Sequence, residues 1–174
     1  MLNAYDHEDA EPLKASVEHV VSPVRKLIDR ASEQGVDVLY VNDNFGDWSA
    51  GREQIVEAAL NGTARELVEP IAPPAGSLFV VKARHSIFYQ TPLEYMLRQQ
   101  DIDHLILVGQ VTEQCILYSA LDGHVRHFDI VIPRDCVAHI HEGLADAALR
   151  MMETNMGAHV VPSEQALDAA QTRR

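Results

Sequence analysis

Cys115 is the residue of this sequence best placed for thiol chemistry. It follows the apolar run His104–Val108 and a short turn, at the point where a helical pattern begins. Functional sites of parallel α/β sheets lie at the carboxyl ends of strands. A helix start adds free N–H groups and a positive dipole, which favour a thiolate and can stabilise an oxyanion. The position predicts a nucleophile that attacks a carbonyl carbon, and a small buried core residue is the alternative.

Lys82 is a second candidate, because it directly follows the apolar run Ser77–Val81. At the carboxyl end of a strand, its ammonium group could hold a carboxylate, favour a neighbouring thiolate or bind a substrate oxygen. A surface lysine that closes a strand is the alternative. The second cysteine, Cys136, has no comparable position, and we interpret it as structural.

Short apolar runs must form the scaffold that positions these side chains. They are rich in Val, Ile and Leu and mostly lack polar alternation, which is typical of strands buried on both faces. Their alternation with helical patterns predicts a parallel α/β three-layer sandwich, built as a single domain over residues 1–174. The five runs are Val36–Val41, Ser77–Val81, His104–Val108, Asp129–Ile132 and Ala158–Val161.

The helical patterns carry recognisable start and stop residues. Apolar residues recur at three- and four-residue steps from Leu13 to Ile28, and Pro23 inside this stretch predicts a kink or a helix start near Ser22. The segment Thr91–Glu94 has the spacing of a capping box and predicts a helix to about Gln100. Further helices are expected from Cys115 to about His124, from Gly143 to about Asn155 and after Ser163.

Composition limits the classes of partner and compartment. The 174 residues carry a net charge of −12, which argues against nucleic acid or an anionic membrane as partner. The sequence has no apolar run long enough to span a bilayer, and MLNAYDHEDAEPL lacks the order of a signal peptide. Two cysteines make no disulfide framework, so a cytoplasmic location is expected.

Taken together, these segments resemble the isochorismatase-like cysteine hydrolases over nearly the whole chain. The resemblance implies a parallel sheet of strand order 3-2-1-4-5-6 flanked by helices. It implies a catalytic aspartate, lysine and cysteine, of which Lys82 and Cys115 match the last two. It also implies a cis peptide at Gln110–Val111, with the N–H groups of Val111 and Cys115 as the oxyanion hole. The matching pieces are Val38–Trp48, Val80–Leu97, Leu105–Ala138 and Leu144–Val161.

The aspartate implied by the resemblance is missing. In the family it ends the first strand, and Met1-Leu2-Asn3 resembles the residues directly after that aspartate, so we expect the strand and the aspartate upstream of Met1. A protein that has lost the strand and the base is one alternative. A substitute base is another, for which Asp43, Asp47 and Glu113 are the carboxylates well placed by sequence.

No metal or other cofactor is expected. Nicotinamidases of this superfamily bind a metal through an Asp-x-His pair, whereas the corresponding loop Asn42–Trp48 has no histidine, and His139 and His141 are interpreted as a surface pair. Arg84 and His85 could bind a substrate carboxylate. We expect the pocket to be lined by Phe45, Trp48, His85, Phe88, Tyr89 and Ile116.

The sequence thus predicts a metal-independent amidohydrolase that cleaves a small amide or carbamoyl compound through a thioester. A catalytically silent binding or scaffold protein on the same fold is the alternative, supported by the missing aspartate. A thiol redox protein is a weaker one, because Cys136 is distant in sequence from Cys115. Family members commonly form dimers or tetramers, so we expect a homo-oligomer.

Overall fold

The computed structural model describes residues 1–171, in which short parallel strands lie between layers of helices. The predicted α/β sandwich with parallel strands is confirmed. The helices of this range are α1 (Ala10–Glu33), α2 (Arg52–Leu60), α3 (Arg65–Val68), α4 (Leu93–Gln99), α5 (Leu117–Val125), α6 (Glu142–Met156) and α7 (Ser163–Gln171). The strands are β1 (Leu39–Asp43), β2 (Leu78–Lys82), β3 (His104–Ile106), β4 (Gly109–Gln110), β5 (Asp129–Pro133), β6 (Val137–Ala138) and β7 (His159–Val161).

The strands pair in three parallel groups. β1 pairs with β2, β5 lies between β3 and β7, and the two-residue strands β4 and β6 pair with each other. The register of β1 and β2 sets Leu39 beside Leu78 and Asp43 beside Lys82. The neighbours β2-β1 and β3-β5-β7 follow the order expected from the family resemblance when its first strand is left out.

Alternate side chains of β5 enter two different cores. Val131 lies in one core with Val17 of α1. Ile130 and Ile132 lie in the other core with Met152 of α6. Because successive side chains of a strand point to opposite faces, β5 is buried on both sides, as its apolar run predicts.

An apolar slot of about 560 Å³ lies between β1 and β3. Residues of both strands line it, and helices α1 and α4 contribute from either side. In the order implied by the family resemblance, this is the position of the first strand. The lining includes Leu27, Ile28, Leu39, Val41, Leu93, Leu97, Leu105 and Leu107.

Helix α1 runs without interruption through Pro23, so the predicted alternative of a start near Ser22 is wrong. A proline inside a helix costs about 3 kcal/mol, through a lost hydrogen bond and a steric clash. The helix buries a stripe that includes Leu13, Val17 and Val24. Each such side chain contributes about 1.5–3 kcal/mol on burial, so the stripe outweighs the cost of the proline.

The capping box predicted at Thr91–Glu94 does not form. Thr91 Oγ1 donates to the carbonyl oxygen of Ile87 at 2.5 Å. The Glu94 carboxylate instead accepts a hydrogen bond from Arg126 Nε at 2.8 Å. Thr91 Oγ1 also accepts from the N–H of Leu93 at 3.4 Å. Because an ion pair across the fold takes the Glu94 carboxylate, the reciprocal bond of a capping box is absent.

Candidate active site

Asp43 and Lys82 are the last residues of two neighbouring parallel strands. The register of β1 and β2 makes them direct partners. Parallel strands bring their carboxyl ends to the same edge of a sheet, so both side chains arrive at one place although 39 positions separate them in sequence.

The Lys82 ammonium group lies between a carboxylate and a thiol. Lys82 Nζ donates to Asp43 Oδ2 at 2.8 Å and lies 3.6 Å from Cys115 Sγ. Lys82 is 5% exposed, whereas 26% of the Asp43 side chain is exposed. An unpaired ammonium at that depth is costly, and the carboxylate partly offsets this cost. The three groups therefore form one polar cluster whose carboxylate reaches solvent.

Cys115 lies on a π-helical turn, Thr112–Ile116, which leads from β4 into α5. Thr112 Oγ1 donates to the carbonyl oxygen of Ala138 in β6 at 2.9 Å, which ties the start of the turn to the strand pair. Such single π-turns are frequent at functional sites. The predicted helix start after a strand is thus present, with the cysteine in its first turn.

The peptide bond between Gln110 and Val111, directly before this turn, is cis. Gln110 Oε1 accepts a hydrogen bond from the hydroxyl of Tyr5 at 3.1 Å. Burial raises the pKa of Tyr5 to about 12, against a smaller lowering by Gln110, so at neutral pH the phenol keeps its proton and donates it. The oxyanion hole of the Val111 and Cys115 N–H groups stays a prediction.

The first residues of the sequence run beside the end of β1 and reach the same cluster. Asn42 Oδ1 accepts from the N–H of Leu2 at 3.1 Å, and Asn42 Nδ2 donates to the carbonyl oxygen of Leu2 at 3.0 Å. Asn42 Oδ1 also accepts from the amino group of Met1 at 3.2 Å. Burial lowers the pKa of that amino group to about 5, and the charges of Cys115 and Lys82 act on it in opposite senses. Met1 therefore lies near both side chains.

Four of the predicted pocket residues are exposed. Phe45 and Trp48 lie in the loop after β1, with 62% and 81% of their surface exposed. His85 lies with its ring centroid 5.3 Å from that of Tyr118. Tyr89 is 53% exposed. Their side chains are open to a ligand, and their role as a pocket wall stays a prediction.

The other two predicted pocket residues, Phe88 and Ile116, belong to the hydrophobic core. The Phe88 ring stacks on Phe128 with centroids 5.5 Å apart. Both side chains therefore pack in the core, and their role as pocket residues stays a prediction.

Two of the three candidate substitute bases are held by groups outside the cluster. Asp47 Oδ1 accepts hydrogen bonds from the backbone N–H and the hydroxyl of Ser49. Glu113 Oε1 accepts from the N–H groups of Ile140 and His141 at 3.0 and 2.8 Å. Of the three, Asp43 is the carboxylate that contacts Lys82.

Within residues 1–171, no group of three or more His, Cys, Asp and Glu side chains is arranged to hold a metal ion. His139 of the pair noted in the sequence has its Nδ1 within 3.1 Å of Ser16 Oγ, on helix α1. The polar cluster itself offers the carboxylate of Asp43, the ammonium group of Lys82 and the thiol of Cys115.

Comparison with known proteins identifies the family. A family model described as the isochorismatase domain matches residues 3–165. This chain belongs to the isochorismatase family. The match covers β1, β2 and the turn that carries Cys115, so every residue of the polar cluster lies within it.

Relatives within the family include named amidohydrolases. The chain is 30% identical over 168 residues to the isochorismatase family protein YaaI of Bacillus subtilis, covering 97% of this chain and 93% of that protein. It is 35% identical over 111 residues to the ureidoacrylate amidohydrolase RutB of Methylorubrum extorquens, covering 62% of this chain but only 45% of that protein. The structure of N-carbamoylsarcosine amidase from Thermoplasma acidophilum aligns with a TM-score of 0.68 at 27% identity, covering 86% of each chain.

Two residues of this region were not singled out from the sequence. Asn42 holds the first residues against β1, and Tyr118 lies against His85. The position of Tyr118, three residues after Cys115, could have indicated it, because residues at this spacing are neighbours on a helix surface. Asn42 lies at the end of the apolar run of β1. A polar side chain at a buried strand position needs hydrogen-bond partners, and this could have indicated Asn42.

Proposed function

We propose that this isochorismatase-family chain is a metal-independent cysteine hydrolase that cleaves the C–N bond of a small amide or carbamoyl compound. Cys115 is the nucleophile and Lys82 its cationic partner. The observation that carries the proposal is the contact of 3.6 Å between Lys82 Nζ and Cys115 Sγ on a turn at the carboxyl end of a strand. An ammonium beside a thiol favours the reactive thiolate.

The reaction runs through a thioester. The thiolate attacks the carbonyl carbon, a C–S bond forms, and the C–N bond breaks as the leaving amine takes up a proton. Water then adds to the thioester, the C–S bond breaks, and an acid and the thiolate are released. A carboxylate carries the proton from thiol to amine and later accepts one from water. In the family resemblance this carboxylate is the aspartate that ends the first strand.

The names of the relatives favour a substrate that carries a carboxylate. RutB acts on ureidoacrylate, and another relative is named maleamate amidohydrolase. In this chain, the exposed Arg84 and His85 follow Lys82 by two and three positions. A guanidinium group recognises a carboxylate through two parallel hydrogen bonds. We therefore expect the substrate to combine an amide or carbamoyl group with a carboxylate.

The chain is further proposed to act in the cytoplasm as a homo-oligomer on small molecules. No described helix is long and apolar enough to cross a membrane. The face of α5 exposes Tyr118, Leu121 and Val125, which a second copy would cover. A solution mass above the 19.3 kDa of one chain would support the oligomer.

A panel of small amides and carbamoyl compounds, with and without a carboxylate, tests the activity through ammonia release. We expect turnover by the unaltered protein and a loss of about a thousandfold or more in Cys115→Ala. Cys136→Ala is the matched control and should retain turnover. Equal turnover by Cys115→Ala would contradict the proposal. No turnover of any compound by a protein whose Cys115 also resists alkylation would favour a silent binding protein.

A further inference from the structure

Asp43 is the acidic partner that the structure gives to Lys82. One carboxylate oxygen, Oδ2, accepts from Lys82 Nζ at 2.8 Å. The other, Oδ1, accepts from the backbone N–H of Phe45 at 2.9 Å. Both oxygens are therefore engaged, and the carboxylate has a defined orientation towards the ammonium.

The backbone of Asp43 is fixed as well. Its register partner in β2 is Lys82 itself, and its carbonyl oxygen accepts from Asn42 Nδ2 at 3.2 Å. Ammonium side chains have three donors and flexible stems. A carboxylate held by a strand end and a loop N–H restricts where this ammonium can lie. That restriction leaves Lys82 Nζ at 3.6 Å from Cys115 Sγ.

We propose that Asp43 is a positioning residue, which holds the Lys82 ammonium group in contact with Cys115. The inference rests on the proposed function and deepens it. Removing the carboxylate can act in two opposite ways. If the ammonium stayed in place, the thiolate would lose a nearby negative charge and would become more favoured. If the ammonium lost its proton or moved, the thiolate would lose its cation.

Burial decides between these two effects. Lys82 is 5% exposed, and an ammonium at that depth is unfavourable without an anion. Within residues 1–171, the titratable groups seen to interact with Lys82 are Asp43, Cys115 and the amino group of Met1. Asp43 is the carboxylate among them. Without the Asp43 carboxylate, the loss of the cation beside Cys115 outweighs the loss of a nearby negative charge, and Cys115 becomes a weaker nucleophile.

The test is the pH–rate profile of Cys115 alkylation by iodoacetamide, followed by mass spectrometry in proteins with Cys136 replaced by alanine. Asp43→Asn should move the profile to higher pH and slow alkylation at pH 7 by about tenfold. Asp47→Asn is the matched control in the same loop and should leave the profile unchanged. Asp43→Glu, which keeps the charge, should retain most of the rate.

A double-mutant cycle distinguishes positioning from a general effect on the fold. Lys82→Met should slow alkylation, and adding Asp43→Asn to it should change the rate no further, because Asp43 acts through Lys82. An unchanged or faster rate in Asp43→Asn, or independent effects of the two substitutions, would overturn the inference. If Asp43→Asn does not fold, a slow Asp43→Glu would overturn it, and a rapid one would support it. Failure of the proposed function appears instead in the unaltered protein, as an unreactive Cys115.

Discussion

The two cysteines of this chain have opposite environments. Cys136 is fully buried, and burial raises its pKa to about 12, with Asp135 adding to the rise and a hydrogen bond with Ser163 opposing it. Cys115 is partly exposed and lies beside the ammonium of Lys82. A buried thiol that holds its proton is inert, whereas a thiol beside a cation is reactive.

Cys136 should make the stability of the fold depend on alkaline pH. A thiol in the unfolded chain loses its proton near pH 9, whereas the folded one holds it to about pH 12. The unfolded state is therefore favoured as pH rises through this window, by about 1.4 kcal/mol per pH unit. Urea unfolding between pH 9 and 10.5 should give a steeper loss for the unaltered protein than for Cys136→Ala. An equal loss of stability with rising pH in the two proteins would contradict this effect of Cys136.

At the scale of elements, Gly62 marks a close approach between the segment after α2 and the first residues. A Cβ atom there would lie 2.4 Å from the carbonyl oxygen of Ala4. The neighbouring Thr63 holds the same segment, because its N–H donates to the Ala4 carbonyl oxygen at 2.9 Å. Only a residue without a side chain fits between these two stretches of backbone.

Gly62→Ala should therefore lower the free energy of unfolding by about 1–3 kcal/mol, since the backbone must move to admit the methyl group. Gly143 in α6 is the matched control, because a Cβ there meets no atom within 4 Å. Gly143→Ala should raise stability by about 0.4–1 kcal/mol, through the reduced freedom of the unfolded chain. Urea unfolding measures both. Equal effects of the two substitutions would contradict the close approach at Gly62.

The main elements could be predicted from the sequence because their apolar patterns are local. The five longer strands fall on the five apolar runs, although β1 begins at Leu39, not at Val36, which is exposed. The paired strands β4 and β6 were missed, since two residues carry no periodicity. The capping box failed because Arg126, distant in sequence, takes the Glu94 carboxylate. Such a contact depends on tertiary packing, which the spacing of residues within one short segment does not indicate.

At the scale of the whole molecule, the site lies where separate groups of strands come together. β1 and β2 supply Asp43 and Lys82, and the turn after β4 supplies Cys115. The positions of Lys82 and Cys115 at strand ends could be predicted from the sequence. The sequence could not select Asp43 from three carboxylates, because that choice depends on the register between β1 and β2.

Cys115 is proposed as the nucleophile of a hydrolase that works through a thioester. The most direct test of this role mixes the protein with 4-nitrophenyl acetate at pH 7, stops the reaction with acid and maps the acetyl group by mass spectrometry. We expect acetyl on Cys115 that hydroxylamine removes and that is absent from Cys115→Ala. Acetyl found only on Cys136 or on lysine side chains, with Cys115 unmodified, would contradict the proposal.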